Sequence, residues 1–450
     1  MLIVFFFLSS AFCVAQKNKQ DIKVTEKSSC CIYDKLDDYK DFLGAVAKKN
    51  TEALEKKYRK EYADVINDKN TDLFTDLEEN RFIFDTVINK YLGSIFYYIL
   101  EKNGLDKSGF HFFVNRTSEV NAYTYEDGTV ICNLGLLNVA ETESQIAMIF
   151  CHELAHYLLN HCNNSIVNSI EKFNSPEFIA QVKEIKKEKF NTKKQLEELL
   201  ITDLFNRKRH NRSQEMAADS LGMILFGKTN YNSVTVPHVF NLLDSSETLI
   251  TKCTIKSFFA NENLKADESW FATKKKMTFG GPVKKEITDT LRTHPDCAKR
   301  KIYAENYFGK HPNAGTDFFL SSKQRLNYIK DQAIFEQAKY AKDNERLSYY
   351  LYQLIQNDAR FVSDKNIKTE ILSTWVDFCF RLKKHTLGYV IDIPYTTENE
   401  KDEYAKFLKM LNQIDLADLK EIALTYYEKN KNFIQTNSAL LKNLNDLKQL

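Results

Sequence analysis

The chain has 450 residues, more than one ordinary domain holds, so two or three compact cores are expected. Its 63 Lys and Arg are balanced by 61 Asp and Glu, which gives no electrostatic reason to expect nucleic acid or an acidic membrane as a partner. Only 13 Gly and 6 Pro argue against a protein of tight hairpins and favour a mostly helical α+β chain.

In chain order, "MLIVFFFLSSAFCVA" carries an apolar run of about 14 residues, the length of a signal peptide and short for a membrane span. Small residues at Cys13 and Ala15 predict cleavage after Ala15 and an exported chain, periplasmic or secreted. A lipoprotein anchored through Cys13 is the weaker reading, because bulky Phe12 precedes it. No later run reaches 18 apolar residues, so no transmembrane helix is expected in the mature chain.

Residues 16–105 have charged, amphipathic patterns and are expected to form an N-terminal helical region, with "YLGSIFYYIL" (91–100) as a buried helix. "FHFFVN" (110–115) and "TVICN" (129–133) are rich in β-branched and aromatic side chains and flank a turn at Asp127-Gly128. They read as strands of a small sheet.

Thr142 with Gln145 three residues later is a capping box, predicting a helix from near Glu143 to about Cys162. Cys151 and Cys162 would then lie about 16 Å apart along one helix, too far for a disulfide. The helix carries "HELAH" (152–156). At 3.6 residues per turn His152 and His156 are about 40° apart around the axis and one turn apart along it, so both rings can reach one metal ion. Glu153 is turned about 100° away, beside the metal, where a carboxylate can take a proton from the attacking water. The metzincin pattern needs Gly and His at the positions held by Leu159 and Cys162, so that class is excluded. His161 reads as a residue at the helix C-terminus facing the local dipole.

A third ligand can come from "NRSQEMAADSLGMILF" (211–226), where Glu215 and Asp219 again lie one turn apart amid Ala217, Ala218 and Gly222, small residues that permit close helix packing. Glu215 completes a His2Glu set suited to Zn²⁺, and Asp219 can accept a hydrogen bond from the outer nitrogen of a ligand histidine.

With these residues in view, the chain resembles the gluzincin metallopeptidases related to HtpX and the CAAX prenyl endopeptidases, over roughly residues 106–306. The resemblance rests on "VNAYTYEDGTVICNLGLLNVAETESQIA", "HELAH", "RSQEMAADSLG" and "THPDCAKRKI" (293–302), the last with His294, Pro295 and Arg300. It implies a zincin-like catalytic domain, residues 106–310, with the HExxH helix beside a small sheet. His294 would donate to the tetrahedral oxyanion or cap zinc as a reversible ligand, and Arg300 would support the site from behind. An edge strand beside the metal could pair main chain to main chain with an extended peptide, which makes Asn121, Ala122, Thr129 and Val130 candidate substrate-binding residues. The segment with Gly280-Gly281-Pro282 reads as a mobile loop at the cleft mouth. The membrane helices of other branches of the family have no counterpart here.

Residues 311–450 are again amphipathic and are expected to form a C-terminal helical domain, with only fragments of a 34-residue repeat. Tyr349, Tyr350 and Tyr352 read as core rather than as a binding surface. The resulting expectation is an exported zinc endopeptidase acting on polypeptides, namely unfolded or misassembled envelope proteins. The rival is a helical chaperone or assembly scaffold whose metal site is latent or structural.

Overall fold

Adjacent residues Phe112 and Phe113 point to opposite faces of one sheet, and this alternation organises the first of two units in the computed structural model. The structure describes residues 33–84, 86–187, 212–245, 253–271, 297–358, 365–393, 402–435 and 438–449. The expected leader (1–15), the Gly280-Gly281-Pro282 loop and His294 lie outside these residues. Among the described residues the chain is mostly helical with one four-stranded sheet, as its composition predicts. None of its helices is long and apolar enough to cross a membrane.

The strands are β1 (Phe82–Ile83), β2 (His111–Asn115), β3 (Ala122–Thr124) and β4 (Thr129–Asn133), in the order β1-β2-β4-β3. β2 and β4 are parallel, Phe113 opposite Ile131, while β3 turns back antiparallel on β4 with Ala122 opposite Cys132. Gly128 closes that turn at φ 88, a left-handed backbone that glycine adopts without a steric penalty.

Helices cover both faces, as a parallel pair requires. Phe113 and Ile131 pack with Tyr39 and Leu43 of α1 (Leu36–Ala53) and Leu73 and Leu77 of α2 (Arg59–Glu78). On the other face Phe112 stacks on Phe96 of α3 (Val87–Lys102), ring centroids 5.2 Å apart, and meets Phe150 edge-on at the same separation. Truncating one of these rings to Ala costs about 3–5 kcal/mol.

After a short helix α4 (Leu136–Val139), Phe150 belongs to α5 (Glu143–Leu158), which begins at the expected capping box: Gln145 N donates to Thr142 Oγ1 at 3.2 Å and Thr142 N to Gln145 Oε1 at 3.3 Å. The residues from Glu143 to Ala155 are all buried, so α5 is a core helix and not a surface one. It does not continue to Cys162. Asn160 takes the left-handed conformation, φ 54 and ψ 29, and His161 starts a separate helix, α6 (His161–Phe173), so Cys151 and Cys162 lie on different helices. Both thiols are free. Beyond α7 (Pro176–Lys187), residues 212–227 form α8 and His238–Ser245 form α9.

The two units are Met1–Asp244 with Lys285–Ile329, and Ser245–Lys284 with Lys330–Leu450. This division differs from the boundaries expected at 105 and 310: the N-terminal helices share a unit with the sheet and α5, because they supply one face of its core. The second unit is helical, with α10 (Ile255–Asn261) and the helices Leu347–Asn357, Lys365–Lys383, Glu403–Gln413 and Leu416–Asn430 around Trp375, Phe407 and Leu408. Tyr349, Tyr350 and Tyr352 are buried in that core.

Candidate metal centre

The centre is built where α5 and α8 cross. Their close approach depends on Gly222, whose position would bring a Cβ to 3.1 Å from His152 Cα and 3.2 Å from His152 N. Ala218, one turn earlier, is fully buried. Ala218 and Gly222 thus do what their spacing suggests, letting one helix backbone lie against the other and carrying Glu215 to the two histidines, whereas Ala217 is exposed and takes no part.

His152 Nε2 and His156 Nε2 lie 3.0 Å apart, and each is 3.4 Å from an oxygen of the Glu215 carboxylate. Among the described residues these three form the one cluster of His, Cys, Asp or Glu that could hold a metal ion. The separations fit the task. Donors about 2.0–2.1 Å from a tetrahedral ion stand about 3.3–3.4 Å from one another. Two imidazole nitrogens and a carboxylate are also the donor types that suit zinc.

The surroundings hold the donors in place. Asp219 Oδ1 lies 3.0 Å from His152 Nδ1, on the outer edge of that ring. Arg300, buried and reaching in from the helix Cys297–Lys310, donates from Nε to Asp219 Oδ2 at 2.7 Å and from Nη2 to Asp219 Oδ1 at 2.9 Å. Its Nη1 is 2.9 Å from Glu215 Oε2. One guanidinium therefore ties the carboxylate behind a ring to the carboxylate in front of it.

Electrostatics follow from this crowding. Burial by itself lowers the His152 pKa, but the Asp219 and Glu215 carboxylates together outweigh it and hold the imidazole up at about 10 in the metal-free chain. Burial raises the Glu215 carboxyl, yet His152, His156 and Arg300 hold it well below the usual range. Glu153 goes the other way. Burial raises its pKa, and the nearby histidines only partly offset this.

Glu153 lines a largely apolar pocket with His152, Ala122, Met148, Phe240 and Leu243. Its backbone oxygen accepts from Thr124 Oγ1 at 3.1 Å, joining α5 to β3. β3 is an edge strand. In its register with β4 the peptide groups of residues 121, 123 and 125 face β4, and those of Ala122 and Thr124 face away. Asn121 spends its carbonyl on Asn133 N at 3.0 Å.

Two expected substrate-binding residues fall elsewhere. Thr129 and Val130 lie on β4, an interior strand paired on both sides, and have no exposed surface. Their peptide groups are committed to the sheet, and the Thr129 hydroxyl shares a 2.7 Å hydrogen bond with Tyr39 Oη. Strand character was legible at 129–133, but not which strand would be at the edge.

His161 is placed differently from its sequence reading. It begins a helix instead of ending one, and its Nδ1 lies 3.0 Å from His156 Nδ1. Burial, then the neighbouring His156, hold its pKa down to about 4. The signal that could have found it is Asn160, a residue type that readily takes the left-handed turn.

Residues 88–305 match peptidase family M48. A putative beta-barrel assembly-enhancing protease of Vibrio cholerae is 24% identical over 264 residues, 54% of this chain and 49% of that protein. Beta-barrel assembly-enhancing proteases of Escherichia coli and Yersinia pestis are 29% and 23% identical over 79 residues, 18% of this chain and 16% of each relative. The match thus spans about half the length of the Vibrio relative and less of the other two.

Proposed function

We propose that the chain, whose residues 88–305 match peptidase family M48, is an exported, gluzincin-type zinc endopeptidase. The observation that carries this reading is the convergence of His152, His156 and Glu215 at mutual separations of 3.0–3.4 Å, with Glu153 lining the same pocket as His152. Zinc held there would polarise a carbonyl and lower the pKa of water toward neutrality.

The rest of the chemistry belongs to the chain. Glu153, whose pKa burial raises, takes a proton from the attacking water and returns it to the leaving amine. Asp219 fixes the tautomer of His152 by accepting from its Nδ1–H. Arg300 is spent on the two carboxylates, so its role is positioning and not contact with substrate. The outward peptide group of Ala122 can pair with an extended chain, which selects for backbone more than for side chains. That mode suits an unfolded segment. His294 is assigned by resemblance alone, as an oxyanion donor or a cap on zinc.

The relatives' names supply the substrate proposal, unfolded or misassembled envelope proteins, including those that form β-barrels. Export rests on the apolar run before Ala15.

Glu153→Gln tests the enzyme reading. The variant should bind zinc as the wild type does and lose casein cleavage by a factor of about 10²–10⁴, the usual contribution of a positioned acid–base group. Full biological activity in this variant would instead support a scaffold whose helices carry the function.

A further inference from the structure

We infer that His161 is the positioning residue for the metal ligand His156, the counterpart of Asp219 behind His152. The inference rests on the zinc reading above and deepens it.

A neutral imidazole has one N–H and one lone pair. His156 turns Nε2 toward His152 and Glu215, so a ligand role there places its proton on Nδ1. That nitrogen is 3.0 Å from His161 Nδ1. His156 Nδ1–H then donates to His161 Nδ1, and the His161 proton sits on its Nε2. The rings meet edge to face, centroids 5.0 Å apart and planes at 73°, which leaves the two nitrogens in line instead of stacking them.

The fold places this nitrogen deliberately. Had α5 continued, His161 would point about 140° around the axis from His156, off the metal-facing side. The left-handed Asn160 ends the helix, and the chain re-enters helix at His161 with its ring turned back. α6 is then fixed from the other side: Tyr62 Oη of α2 donates to Asn163 Oδ1 at 2.6 Å, and Ile170 packs with Tyr62 and Ile66. His161 Nδ1 is therefore held by two helices that do not contain the metal ligands.

The two ligand histidines are thereby supported unequally. His152 leans on a carboxylate that shares its charge with Arg300, and His156 leans on a neutral ring. Loss of the neutral partner should weaken zinc without stranding a buried charge.

Three chains make the test: wild type, His161→Phe, which keeps a ring without the nitrogen, and His161→Asn, whose side-chain oxygen can stand where Nδ1 stood. Zinc affinity is read by competition with a chromophoric chelator, and geometry by the visible absorption of the cobalt-substituted chains. The inference expects zinc binding about 10–100-fold weaker in His161→Phe with altered cobalt bands, and recovery of most of the affinity and the wild-type bands in His161→Asn. Wild-type affinity and spectrum in His161→Phe would overturn it. Equal losses in both variants would also overturn it, since they would mark His161 as a packing residue. A wild-type chain that binds no zinc would sink the zinc reading along with this one, whereas failure confined to the variants sinks this one alone.

Discussion

Asp219 Oδ1 lies 3.0 Å from His152 Nδ1 while Asp219 Oδ2 accepts from Arg300 Nε at 2.7 Å, so one carboxylate both orients a ligand ring and neutralises a buried guanidinium. These two duties predict different outcomes for two substitutions. Asp219→Asn keeps an acceptor and should weaken zinc binding about tenfold with a modest loss of stability. Asp219→Ala leaves Arg300 with half its partners in a buried site and should cost about 3–5 kcal/mol in denaturant unfolding of the metal-free chain. Equal stability of the two variants would contradict the pairing.

Zinc affinity should depend steeply on pH. With its pKa held up at about 10, His152 is protonated at neutral pH in the metal-free chain, and the ion must displace that proton. Apparent affinity should therefore rise about tenfold per pH unit between pH 7 and 9 and level off near pH 10. The metal-free fold should respond in the opposite sense. Because the folded pKa lies above the ordinary value of 6.5, the stability from this group is fully present below 6.5 and is lost as pH rises through about 10. Chelator competition and unfolding across this range would check both directions.

Gly222 sets the distance between α8 and α5. An added Cβ meets His152 backbone atoms at 3.1 and 3.2 Å and Met148 Cε at 3.3 Å. The methionine can move, but the backbone of a buried helix yields little. Gly222→Ala should gain up to about 1 kcal/mol in helix propensity and lose about 1–3 kcal/mol to overpacking, a net destabilisation. Glu215, two turns earlier on α8, should shift with the helix, so zinc should bind more weakly. Unchanged affinity would mean that the helix spacing does not set the site.

Much of the centre was legible because its residues repeat at the spacing of one helical turn. His152 with His156, and Glu215 with Asp219, declare a shared face without any knowledge of the fold, and the Thr142–Gln145 box marks where the first helix starts. Arg300 could be named only through family resemblance, because a lone arginine 81 residues from Asp219 carries no periodic signal. His161 was misread because one left-handed residue redirects everything after it, and periodicity assumes an unbroken helix. Thr129 and Val130 illustrate the same limit in strands: alternation fixes which faces a strand presents, but strand order decides which peptide groups stay free, and order depends on long-range pairing. Phe112 and Phe113, neighbours on β2, each find a separate core.

The central claim is that two histidines of α5 and a glutamate of α8 hold one zinc ion. Metal analysis of the purified chain beside Glu215→Ala tests it most directly. The account predicts one zinc per wild-type chain that survives dialysis, and none retained by Glu215→Ala, whose two histidines alone bind too weakly. Stoichiometric zinc in the Glu215→Ala chain, or a folded wild-type chain that takes up no zinc, would contradict it.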